Sequence, residues 1–436
     1  MRTILMVLSL FMSAAASASP LELYGIGLSG AGRGLANVAG ARDLFATFYN
    51  PAGLMDIESI EFGLAHQINA PFVALEMSRE DPSFEPAEPS VYQNTSLGFA
   101  VPFTGRLAGR ASLGAVLEVP NGILVRARAL DARRPHWFMY DSYPDVFVSQ
   151  VALAIRFFEG LDLAIGVHNN TGLQGRVTLE LDAATNTWTQ RELDFEFTGQ
   201  LGPTVGLKAY HKNWHFGLVY RSPLAMDFAT PADLAFNNLD AGLRLELAGV
   251  VHMLPAVLAS GLEWRTTRWS LELAAQWKQW SSARDPSIDA GLDISGSDAE
   301  ALGLGQALDA PDPEGQPRQS PGFRDTLSVG LGGSFSLFSG LQTQAGYSFI
   351  PSPIPDQIHH TNLVDPDRHV LSMSLIWKVI DPLGVFTKPL GLGFSCQWNH
   401  LAKRRAEKTL GPVDPVGDWT ATGGILSLNF GFEGRL

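Results

Sequence analysis

WSLELAAQW, residues 269–277, places Trp269, Leu271, Leu273, Ala275 and Trp277 on one face of an extended strand. Ser270, Glu272, Ala274 and Gln276 fall on the other, because successive side chains of a strand point to opposite sides. The apolar face carries a Trp at each end, which is where a membrane strand sets its interfacial aromatics. The stretch reads as a strand with one face for lipid and one for a polar lumen.

The same pattern of about ten alternating residues recurs along the chain. Strands are expected near 59–69, 94–103, 109–121, 145–157, 161–180, 192–210, 213–230, 242–265, 268–282, 325–338, 341–350, 368–379, 390–404 and 421–436. The total is about fourteen, and an even number lets the last strand return beside the first. Links alternate in length. FTGRLAG (103–109), FEGLD (158–162), HKN (211–213), RTTR (265–268) and FSG (338–340) are short and suit the periplasmic side. Residues 70–93, 122–144, 281–324 and 351–367 are long and polar, as extracellular loops are. The expected fold is all-β: a membrane-spanning antiparallel β-barrel over residues 59–436. A soluble sandwich or propeller also yields many short strands. The absence of a repeat of about 40 to 50 residues, the length of 242–265 and the alternation of links weigh against it.

Composition agrees. Charged residues make up 17% of the chain and hydrophobic residues 45%. Yet the most apolar later stretch, LAGVVHMLPAVLASGL from Leu247, is interrupted by His252 and Pro255. Apolar residues are therefore scattered rather than blocked. The 44 glycines and 10% aromatics suit tilted strands and aromatic girdles. The single Cys396 excludes an internal disulfide and a multi-cysteine metal site, and no cofactor or metal is expected. A net charge of −13 argues against nucleic acid and fits acidic loops. Residues 1–18, with Arg2, an apolar run from Ile4 to Met12 and small residues ending at Ala18, read as a secretory signal peptide.

Residues 19–58 do not alternate. GLSGAGRGLANVAGARD (27–43) is rich in Gly and Ala and suits short helical or irregular pieces packed closely on something else. FATFYNPAGL (45–54) follows. Asn50 before Pro51 is pushed out of the α region, Pro51 fixes φ, and Gly53 allows a tight turn, so Asn50-Pro51-Ala52-Gly53 is expected to reverse the chain. Such a tetrapeptide can be a plain turn. Forty non-strand residues ahead of a barrel are most economically housed inside it, as a hatch.

In that setting AGRGLANVAGARDLFATFYNPAGL (31–54) resembles the N-terminal hatch of the FadL/TodX family of outer-membrane transporters of long-chain fatty acids and hydrocarbons. LVYRSP (218–223), residues 254–282, and residues 325–356 with 365–375 resemble the family in the same order. The resemblance implies a fourteen-stranded barrel in the bacterial outer membrane that carries hydrophobic small molecules inward, with lateral release through a gap at the third strand. It implies Asn50, Pro51 and Ala52 as the hatch motif. The protein is expected to be a monomer touching outer-membrane lipid and lipopolysaccharide.

Ligand-binding candidates follow from the residues. Phe45, Phe48 and Tyr49 suit the wall of an inner apolar pocket. Trp137, Phe138 and Met139, followed by Tyr140, stand together in the second long loop. They suit either an exposed outer groove or an anchor on the barrel rim. A carboxylate cargo would want a cation. By strand parity Lys208 and Lys278 point inward, with Arg221, Arg156 and Arg368 near strand ends; each alternatively pairs with an acidic residue such as Glu263 or Glu272. In the third strand Gly114 and Pro120 are candidate breaks in the wall. The chain ends on Leu436 rather than an aromatic, with Phe430 and Phe432 on the same face. Two other functions remain open. A diffusion porin would conduct ions when reconstituted, and a lipid hydrolase would need a Ser beside His168, His252 or His369 and would show esterase activity.

Overall fold

The computed structural model describes residues 23–79, 85–121, 133–140, 147–182, 185, 187–237, 240–283, 288–301, 322–359, 361–380, 388–409, 414 and 416–436, and the expected signal peptide lies outside them. Among the described residues fourteen strands form one closed ring. They are β1 Glu61–Met77, β2 Tyr92–Pro102, β3 Ala111–Pro120, β4 Val148–Phe158, β5 Leu161–Asp182, β6 Thr187–His211 and β7 Trp214–Arg221. After them come β8 Ala256–Arg265, β9 Trp269–Gln279, β10 Thr326–Phe338, β11 Leu341–Ile350, β12 Arg368–Val379, β13 Leu390–Ala406 and β14 Trp419–Arg435. Each strand runs antiparallel to the next, and β14 closes on β1 from Glu61 opposite Arg435 to Met77 opposite Trp419.

Alternation holds where it was read. Trp269, Leu271 and Leu273 are 39%, 46% and 60% exposed, while Ser270 and Glu272 between them are buried. The outward face is exposed and the inward face meets protein.

Three expectations change. β1 runs on to Met77 rather than ending at residue 69. Past Asn69 it pairs with β14 alone, so Pro71 sits where β2 asks nothing of its missing N–H. The stretches 213–230 and 242–265 are not single strands: β7 stops at Arg221 and β8 starts after Pro255. The residues between form Leu224–Asn237 and Ala241–Leu254, which pair with each other. Ile288–Ser295 pairs with the second and the outer half of β5 with the first, giving a small sheet beyond the ring. The length of 242–265 therefore belonged to two strands divided at a proline, which cannot donate to the ladder.

Residues 23–58 carry two short helices, α1 Gly27–Gly32 and α2 Ala46–Tyr49, and a 3₁₀ helix Pro51–Asp56. They are buried against inward faces around the ring. Phe45, Phe48, Tyr49 and Leu54 pack with Ala100, Val116, Ala152 and Ala164 of β2 to β5. Ala36 and Val38 pack with Val219, Val257, Ala259 and Ala274 of β7 to β9. Wall glycines make room: a Cβ on Gly206 would stand 2.6 Å from Asn50 Oδ1. A third apolar cluster, at the outer end, joins Tyr24, Trp137, Tyr140, Trp280 and Trp419.

Candidate functional site

Asn50 is fully buried and extended at φ −156°, ψ 102°, as a residue before proline must be. Its Oδ1 accepts the N–H of Ala52 (3.2 Å), capping the 3₁₀ helix that Pro51 begins. Its Nδ2 donates to the carbonyls of Val38 (2.9 Å) and Leu207 (3.0 Å), so one amide joins two parts of the N-terminal segment and β6. The motif is thus a helix start rather than a chain reversal. Gly53 serves close approach instead of a turn, since a Cβ there would lie 2.2 Å from the Ala41 carbonyl oxygen.

Charge holds the segment on the opposite side. Arg33 Nη2 lies 3.1 Å from Glu263 and 3.2 Å from Glu272, all three buried. Glu272 also accepts the backbone N–H groups of Val38, Ala39 and Gly40 at 2.7, 2.8 and 2.9 Å. A buried charge is tolerable only when paired and hydrogen-bonded in this way. Arg33 was legible as one of few charges in a Gly/Ala-rich segment, and Glu272 as an inward residue; their meeting depends on ring closure.

Lys208 donates to Asp56 Oδ2 (2.6 Å) and to the Ala41 carbonyl. Burial alone would raise the Asp56 carboxyl, but Lys208 and Arg265 hold it below the usual carboxylate range. Arg221 donates to the Phe48 carbonyl (2.8 Å) and stacks over the Phe48 ring at 4.5 Å. Arg156 pairs with Asp162 at 2.9 Å and donates to the Met55 carbonyl. Tyr49 receives the Ile26 N–H and donates back to the Ile26 carbonyl.

Three clefts adjoin one another. The outermost lies among Met139, Tyr140, Pro255, Lys278, Asp365 and Arg368. Arg368 donates from there to the Leu23 carbonyl (2.8 Å), and burial raises the Asp365 carboxyl to about 6 against Ser352, Arg404 and Arg368. The middle cleft is walled by Phe48, Val148, His168, Arg221, Pro255 and Val257. The innermost is bounded by Leu35, Val38, Phe48, Tyr49, Arg221 and Gln276. Pro255 is common to the first two, and Phe48 and Arg221 to the last two. A polar vestibule with Arg42, Asp56, Glu61, Arg265 and Glu433 opens at the other end.

The structure brings Phe48, Tyr49, Arg221, Met139 and Lys278 onto these clefts. Phe45 packs instead over Gly27, where a Cβ would lie 2.3 Å from its ring. The loop aromatics are not exposed. Trp137 is 0% accessible, Met139 and Tyr140 are buried, and Phe138 packs edge-on against Phe323. The ladder on both sides of β3 runs through Gly114 in unbroken register, so that glycine does not interrupt the wall; Pro120 ends the strand. His168 faces Thr204 Oγ1 at 3.0 Å and the Ser222 carbonyl at 3.1 Å.

Residues 194–409 match the sequence profile of the outer membrane protein transport proteins (OMPP1/FadL/TodX). No curated protein matches the chain by sequence. Among solved structures it resembles a Pseudomonas aeruginosa FadL homologue, at TM-score 0.61 and 13% identity over 98% of this chain and 99% of the other. It resembles the P. putida toluene transporter TodX at 0.57 and 12%, over 95% and 99%. The Ralstonia pickettii toluene transporter TbuX gives 0.56 and 14%, over 95% and 100%. These identities carry the fold alone; the profile adds the family. Residues 194–409 belong to the outer membrane protein transport family OMPP1/FadL/TodX, and the chain is a bacterial outer-membrane β-barrel.

Proposed function

We propose that the chain takes up apolar molecules from the cell surface by passing them along the three adjoining clefts, with residues 23–58 as a hatch. The observation that carries this reading is the sharing of Pro255, Phe48 and Arg221 between successive clefts. Each methylene exposed to water costs about 0.8 kcal/mol, so an oily molecule needs a run of apolar pockets rather than a wide wet pore. TodX and TbuX are described as toluene transporters, which agrees with a hydrocarbon cargo. Arg221, the cation that lines both inner clefts, favours a neutral cargo there, because it already serves Phe48. A fatty acid carboxylate would meet Lys278 and Arg368 in the outer cleft.

Lateral release belongs to the same reading. At β3 a Cβ on Gly114 would lie 2.3 Å from Thr47 Oγ1, so hatch and wall touch there and a moving hatch would free that strand. Val257 lines the middle cleft from β8. Val257→Phe is expected to lower uptake of radiolabelled decane by cells about tenfold, with a normal amount of barrel in the outer membrane, since overfilling a packed site excludes an occupant. Unchanged uptake by the inserted variant would remove the middle cleft from the route.

A further inference from the structure

Wall strands β13, β14, β1 and β2 turn a strip of amides inward, and α1 lies against the first three of them. Asn429 of β14 stands opposite Gln67 of β1, and Gln67 stands opposite Asn94 of β2. Gln67 and Asn69 are 3% and 1% exposed, and among the described residues neither amide finds a partner for its nitrogen or its oxygen. Asn429 and Gln397 donate to the Gly27 and Ala31 carbonyls beside α1 but leave their own oxygens unpaired. Among the described residues Asn399 Oδ1 is unpaired as well. Buried polar atoms are partnered in the great majority of cases, so a run of orphans along adjacent strands points to a partner that arrives from elsewhere.

The hold on the segment differs along its length. Residues 33–56 are fastened by the Arg33 and Lys208 ion pairs. On the strip itself, α1 is fastened by the side-chain amides of Asn429 and Gln397. Among the described residues the side-chain bonds that hold α1 to the wall, that of Ser372 to the Gly32 carbonyl included, are all between neutral groups.

We propose that this strip is a binding site for the hydroxyl group of an otherwise apolar molecule, an alcohol or a phenol, and that it is uncovered when α1 lifts. A side-chain amide both donates and accepts, as a hydroxyl does. A carboxylate only accepts and would seek a cation, and a hydrocarbon gains nothing from the strip. The inference rests on the transport reading above and narrows its cargo.

Uptake of radiolabelled 1-decanol and of decane by cells producing the full chain tests it. The parent should favour decanol, and Gln67→Leu or Asn69→Leu should lower the decanol-to-decane ratio about tenfold, the effect of one lost hydrogen bond. Asn69→Ser keeps a donor and acceptor and should hold the ratio within about twofold of the parent. A parental ratio in the inserted Leu variants, or an equal fall in Asn69→Ser and Asn69→Leu, overturns the site. Decane entry without a preference for decanol overturns it while leaving the transport reading intact; entry of neither compound removes both.

Discussion

Asn50 shows how much one side chain can hold. Its three hydrogen bonds join Val38, Ala52 and the β6 carbonyl of Leu207 at a position without solvent access. Asn50→Ala leaves those backbone groups without their partner, at about 1 to 3 kcal/mol for an unsatisfied buried group. The loss falls on the proposed hatch rather than on the ladder. Backbone amides between residues 38 and 54 should therefore exchange hydrogen about tenfold faster or more, while those of β9 and β10 stay protected, as mass spectrometry of the detergent-solubilised protein would show. Equal protection in both would mean that the Asn50 amide contributes little to seating the segment. The residue types of Asn50-Pro51-Ala52 were legible because the Asx cap and the proline act locally. The bond to Leu207 was not, since it exists only once the ring has closed.

At the scale of elements, what the sequence made plain was period. A strand facing lipid on one side alternates whatever its neighbours do, so all fourteen wall strands could be read. The departures occur at prolines. Pro255 divides what looked like one strand, and Pro71 is passed over because β1 has only one neighbour there. The loop aromatics could be read as an exposed groove or as an anchor for a different reason: Trp137 follows His136 in sequence but shares an apolar cluster with Trp419 and Leu363, and burial is a property of that assembly. Glycine on the wall carries a further expectation. Gly206 lies in β6 under Asn50, and an isoleucine there suits a strand while filling the space that Asn50 and Pro51 occupy. Gly206→Ile should leave the barrel assembled and displace the proposed hatch, raising ion conductance in planar bilayers well above the parent's. Parental conductance from the inserted variant would show that the segment is not the closure.

For the whole molecule the deciding question is where the lipid lies, and one strand pair can answer it. Trp269 and Trp277 mark the two ends of the apolar face of β9, with Leu273 midway and 60% exposed. Leu327 of β10 stands opposite Trp277, at the outer edge, and is 57% exposed. In water these two leucines would be equivalent surface positions. In a bilayer they are not, because a charge costs about 2 to 4 kcal/mol at the midplane and about 0 to 1 near the interface. Leu273→Arg is therefore expected to destabilise the barrel by about 2 to 4 kcal/mol and Leu327→Arg by about 1 or less, measured by denaturant unfolding in lipid vesicles. The long Arg stem at Leu327 can carry its charge to the headgroups, and at Leu273 it has the greatest distance to cover. Equal costs at the two positions would contradict a membrane centred between the two tryptophans, and with it the assignment of the inward face, Glu272 and Lys278 included, to the lumen.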